Sequence, residues 1–134
     1  MQEYHLLKVE NSADSRTYHL NAATIVIGRN TLSDICVDDD QVMTHHALMR
    51  RIPSLGARDA FVFIARAGNI EVQEKGAWVK SNEFNKTLVT GDSFRIGDTR
   101  FSYIMAYMSE TDYARRFKVQ PVAIMPIKRK ILVA

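Results

Sequence analysis

From residue 4 to residue 105 the chain is a series of short β-type runs, each closed within a few residues by turn formers such as Gly, Pro, Asp and Asn. About ten or eleven runs stand out, at residues 4–9, 16–20, 24–27, 35–37, 46–50, 61–65, 70–72, 77–79, 87–89, 94–96 and 100–105. They are rich in Val, Ile, Phe and Tyr, residue types that suit a pleated, half-buried surface better than a helix. Runs this short and this regularly spaced predict an all-β sandwich or barrel. The polar stretch 10–15 reads as the loop of an opening hairpin.

The pattern changes at Ser109. With Asp112 three residues later it resembles a capping box, and Tyr113 and Phe117 then stand four apart on one helical face. A short helix over about 110–117 is expected, then an extended tail, because Pro121 and Pro126 interrupt further helix. The chain therefore divides into a sandwich over 1–108 and a helix with a tail over 109–134. Residues 122–127 are apolar, Lys128, Arg129 and Lys130 are basic, and 131–134 are apolar again. The expected place of this tail is on the domain's own sheet. Strand addition to a partner, or to a second copy in a homo-oligomer, is the functional alternative.

Length and composition narrow the function. A chain of 134 residues makes one domain with a real core. No apolar run is long enough to cross a bilayer, the N-terminus lacks signal-peptide character, and Cys36 is the only cysteine. These features exclude an internal disulfide and a cysteine-based zinc cluster, and predict a cytoplasmic protein for which a membrane is not an expected partner. The net charge of +3 is mixed along the chain, so solvated surface is the expected role of most charges. Nucleic-acid contact through Arg50-Arg51, Arg115-Arg116 and the basic tail is the weaker alternative.

Catalytic patterns are missing. No Ser stands in a Gly-x-Ser-x-Gly elbow, no Gly-Lys-Ser/Thr follows Gly28, and no acid pair is placed for proton transfer. Cys36 lies in an apolar run and is expected to be a buried, inert thiol. His45 and His46 beside Asp38, Asp39 and Asp40 have metal-ligand chemistry but no metal-site spacing, so no metal and no cofactor are expected. His5 and His19 are expected to pack across the opening hairpin, Trp78 to sit in the core or a neighbouring loop, and Met43, Met49, Met105, Met108 and Met125 to serve packing.

Four signatures, in order, resemble the forkhead-associated (FHA) family. Ile27-Gly28-Arg29-Asn30 with Ser33-Asp34-Ile35-Cys36-Val37 is similar to the family's Gly-Arg and Asp-Ile-x-Leu pattern. Val42-Met43-Thr44-His45-His46-Ala47 resembles its Val-Ser-Arg-x-His-Ala segment, and Lys75-Gly76-Ala77-Trp78-Val79-Lys80 its Asn-Gly-Thr-Trp-Val-Asn segment. Leu88 to Gly97 is similar to its Leu-x-x-Gly-Asp closing motif. The resemblance covers about residues 4–107 and implies an FHA-type β-sandwich of about eleven strands, whose loops at one end take phosphothreonine peptides.

On that correspondence the partner-binding loops carry Arg29, Asn30, Met43, Thr44, His45, Lys75, Gly76 and Ala77. Gly28 and His46 brace them: Gly28 lets the strand turn and a His46 ring nitrogen can hold loop backbone. Arg29 keeps the family's phosphate-binding fork. Met43 stands at the phosphate-contacting Ser, and Lys75, Ala77 and Lys80 stand at Asn, Thr and Asn. A hydrogen bond to a charged group is worth roughly 1.5–3 kcal/mol. Losing two contacts would therefore cost on the order of 3–4 kcal/mol, or about two to three powers of ten in affinity. The expected function is a non-catalytic protein–protein interaction module, an adaptor in signalling or complex assembly, with phosphate optional. Conventional phosphothreonine-peptide binding through Arg29 is the first alternative, and an assembly subunit acting through the tail is the second.

Overall fold

The computed structural model describes residues 1–39, 41–43, 46–53, 59–65, 70–81, 85–117 and 120–121. Two sheets face one another. The larger has the order β12 (Gln120–Pro121), β2 (Ser15–His19), β1 (Gln2–Glu10), β11 (Thr99–Met108), β10 (Ser93–Ile96), β7 (Ile70–Glu74), β8 (Ala77–Ser81). The smaller has the order β4 (Ile35–Cys36), β3 (Thr24–Gly28), β5 (Ala47–Ile52), β6 (Ala60–Ala65), β9 (Asn85–Thr87). The first eleven strands follow the eleven expected runs. The ninth is displaced toward the N-terminus, because Leu88 leaves the strand to bury its side chain while its N–H bonds Phe61 O.

Period-two alternation builds the core. Leu7 and Val9 of β1, Ile25 and Ile27 of β3, Phe61 and Phe63 of β6 and Phe94 and Ile96 of β10 all point between the sheets. The rings of Phe63, Phe94 and Phe101 form a continuous stack with centroid separations of 3.9 and 5.1 Å. Full burial of each such ring stabilises the sandwich by about 1.5–3 kcal/mol.

β1 is buried on both faces. Its outward residues Tyr4 and Leu6 are covered by the helix α1 (Glu110–Arg116), whose Tyr113 ring stacks on Tyr4 at 3.7 Å and 4°. Ser109 Oγ accepts from Asp112 N at 3.1 Å, so the N-cap forms. The Asp112 carboxylate turns to Arg115 instead of reaching back, which leaves the capping box half made.

The two histidines of the opening hairpin do not face each other. His19 pairs with Leu6 and shares the outer face with Tyr4 and Tyr113, whereas His5, one residue away, points inward. A one-residue step reverses the face in a strand. His5 bonds the Tyr103 hydroxyl at 2.5 Å and Glu3 at 2.7 Å. Burial first, then the Glu3 charge, pushes the Tyr103 phenol up to about 12. Gln120–Pro121 pairs in parallel with β2; the rest of the tail, 122–134, lies outside the described residues.

Candidate functional site

Strand directions decide which loops can meet. β3 ends at Gly28, β5 begins at Ala47 beside Ile27, and β6 ends at Ala65 opposite Ala47. β10 ends at Ile96, and its register with β7 carries Ile70 to the same pole. The ends that frame the β3–β4, β4–β5 and β6–β7 connections therefore share one pole with the β10–β11 turn. Thr44, His45 and the connection 66–69 lie outside the described residues.

At this pole the backbone of Met43 is held from both sides. Its N–H donates to Nδ1 of His46 at 2.9 Å, and its carbonyl accepts from Arg29 N at 3.0 Å. His46 is fully buried, and its own N–H donates to Ile27 O at 3.0 Å. Because Nδ1 accepts, its proton sits on Nε2. The Met43 side chain is left 51% exposed, so it does not serve the packing expected of it. Asn30 shapes the neighbouring loop: its Oδ1 accepts from Leu32 N at 2.8 Å and its carbonyl from Ser33 N at 2.9 Å. That Asx-type turn leaves Leu32 73% exposed. Among the described residues, the exposed surface here combines the Arg29 guanidinium with two apolar side chains.

Asp39 fastens this loop to the next turn. Its carboxylate accepts from Gln41 N at 2.9 Å, Asp98 N at 3.1 Å and Thr99 Oγ1 at 2.8 Å. Partial burial pushes its pKa up, but these hydrogen bonds and the Arg29 charge outweigh it, and the net shift is downward. Gly97 makes the approach possible. It has φ +59°, and a Cβ there would stand 2.4 Å from Gln41 Cβ.

Lys75, Gly76 and Ala77 are not at this pole. Lys75 (φ +50°) and Gly76 (φ +84°) form the two-residue turn of the β7–β8 hairpin. Ala77 pairs with Glu74 at the start of β8. β7 is five residues long, so the turn lies roughly 16 Å from Ile70 at about 3.3 Å per residue. The structure brings Gly28, Arg29, Asn30, Met43 and His46 together and keeps the third predicted segment away from them.

Two further expectations are corrected. Cys36 is exposed, because the two-residue edge strand β4 turns Ile35 inward and Cys36 outward. Trp78 is in neither the core nor a loop. It lies on the outer face of the larger sheet, with Arg95 4.5 Å and Arg100 5.8 Å from its ring centroid.

No protein-family model matches the sequence, and no curated protein matches it. The fold has clear counterparts among solved structures. The Slr1951 protein from Synechocystis sp. superposes with a TM-score of 0.63 at 23% identity, over 78% of this chain and 99% of that one. The FHA domain of CT664 from Chlamydia trachomatis gives 0.60 at 21% identity, over 78% and 99%. EmbR of Mycobacterium tuberculosis, solved with a low affinity phosphopeptide, gives 0.57 at 27% identity, over 78% of this chain and 26% of EmbR. The chain has the fold of the CT664 FHA domain.

Proposed function

We propose that this FHA-type sandwich is a non-catalytic protein-interaction module that takes a peptide of its partner at the Arg29 pole. The observation that carries the reading is the clamp on Met43. Bonds from Arg29 N and to His46 Nδ1 fix the loop backbone, while the Met43 side chain stands exposed in the loop next to Arg29. Arg29 offers a planar fork for an anionic group of the partner. Met43, at the position where a family serine would give a hydroxyl, and Leu32 in the neighbouring loop offer apolar contact. A partner with an anionic side chain flanked by apolar ones fits this surface, and a phosphate strengthens the contact without being required.

The separation of Lys75 and Ala77 from the pole supports keeping phosphothreonine among the ligands. Two of the apparent losses are at residues that do not belong to the loop cluster. Only Met43 remains as a departure at the described pole. The same fold in EmbR was solved with a phosphopeptide.

The test is titration with a degenerate phosphothreonine peptide library and its unphosphorylated twin, for the wild type and Arg29→Ala. Binding of both libraries, tighter for the phosphorylated one and weakened by Arg29→Ala, is expected. Binding that ignores Arg29 would move the recognition surface elsewhere.

A further inference from the structure

The two outer faces of the sandwich are finished differently. On the larger sheet α1 covers β1, and the strands beyond it turn Arg100, Arg95, Glu71 and Lys80 outward. On the smaller sheet, Ile25, Ile27, Met49, Phe61 and Phe63 point into the core, so the alternate residues face out. Pairing sets Val26, Leu48 and Ile64 in one outward row, with Val62 and Ile52 on the same face. The three residues of the row are partly exposed and Ile52 is 42% exposed. Arg50 is the single charged residue that the described strands of this sheet turn outward. We infer that residues 122–134 of the same chain fold across this apolar face and cover it.

The last described strand delivers the tail to the correct edge. β12 runs parallel to β2, so the chain leaves Pro121 beside His19. From His19 the chain has already made the crossing to the smaller sheet once, in four residues. Ala23 O accepts from Arg51 N of β5 at 2.8 Å, and β3 starts at Thr24. Thirteen residues follow Pro121. Extended, they span about 43 Å at roughly 3.3 Å per residue. The path needs roughly 10 Å for the sheet separation and about 10 Å for the two strand spacings from β3 to β6. The tail is long enough with chain to spare.

The chemistry of the tail fits the same face. Apart from Pro126 and the triplet Lys128-Arg129-Lys130, residues 122–134 are all apolar. Tail and row are two apolar surfaces on one chain, and joining them removes both from water. The triplet keeps its charges in solvent while its stems lie along the rim. Arg50 adds one like charge, so the contact rests on burial and not on ion pairing. The other outer face is less suitable, because Arg95, Arg100 and Lys80 outnumber Glu71 there. A second copy laid face to face would bring two Arg50 side chains into the contact, with no carboxylate from these strands to offset them.

The test uses the full chain in a Cys36→Ser background, with a nitroxide on Lys130→Cys so that no apolar tail residue is lost. Selective broadening of the Val26, Leu48 and Ile64 amide resonances is expected, with those of Arg95 and Arg100 unaffected. It should persist at high salt, because burial holds the tail. A sample mixing isotope-labelled chains without nitroxide and isotope-free chains with it should show none. Broadening in that mixture overturns the inference by placing a second copy's tail on the face. Absence of broadening at the row in the singly labelled chain overturns it as well. Leu48→Glu and Ile64→Lys each put a charge in the row and should reduce the broadening severalfold while amide dispersion shows the sandwich intact. Unchanged broadening in a folded variant also overturns it.

Discussion

The main-chain N–H of Met43 donates to Nδ1 of His46 at 2.9 Å, so a fully buried imidazole sets the position of an exposed loop residue. Replacing His46 with Phe keeps the ring volume and removes the acceptor. An unpaired buried donor costs about 1–3 kcal/mol. Urea denaturation of His46→Phe should show a loss in that range, accompanied by weaker Arg29-dependent binding. Unchanged stability and binding would mean that the loop is held by other contacts.

Met43→Ser restores a hydroxyl beside the guanidinium. A hydrogen bond to a charged group is worth roughly 1.5–3 kcal/mol. Affinity for phosphothreonine peptides should rise about ten- to a hundredfold, while affinity for unphosphorylated peptides falls as apolar contact is lost. Parallel titration of both peptide sets reads the two changes separately.

Asp39 gives the loop a pH dependence of known sign. Its folded pKa is held below the ordinary carboxylate value by the bonds from Gln41, Thr99 and Asp98 and by Arg29, against the opposing effect of burial. The stability it contributes is present above the unfolded pKa and is lost as pH falls through the folded one. The stability gap between the wild type and Asp39→Asn should therefore be widest near neutral pH and should narrow on acidification below the carboxylate range. Denaturation midpoints across that range measure it.

Two left-handed positions should respond in opposite directions. Gly97→Ala adds a Cβ against Gln41 at φ +59° and should destabilise by at least about 1–2 kcal/mol. Lys75→Asn at φ +50° in the β7–β8 turn should stabilise by a few tenths of a kcal/mol or more, because Asn suits that turn. Thermal unfolding of the two variants tests both signs.

The stacked pair Tyr4–Tyr113 separates packing from polarity. Among the described residues the buried Tyr113 hydroxyl has no hydrogen-bond partner, so Tyr113→Phe should match or exceed wild-type stability. Tyr113→Ala should cost about 3–5 kcal/mol and free α1 from the sheet. Denaturation of both variants, with helix content followed by circular dichroism, distinguishes the contributions.

The strands were legible because turn formers bracket runs of β-formers, and the register of inward residues follows from alternation alone. The helix was legible from Ser109 and Asp112. The third signature was misplaced because Lys75-Gly76-Ala77-Trp78 matches a motif by residue type while strand direction assigns its pole. The available clue was a two-residue Lys-Gly step between two β runs, the mark of a tight hairpin. Cys36 and Trp78 were misjudged for a related reason. Apolar character says that a residue can be buried, but face and edge position decide whether it is. The Asp39 tie to Asp98 joins residues 59 apart in sequence, and no local pattern announces it.

The two poles also dictate how the domain can be presented to other molecules. Gln2 pairs with Met108, so Met1 projects from the pole opposite Arg29, beside the start of α1. A fluorophore, a solid support or a fused domain attached at Met1 would leave the Arg29 loops facing outward.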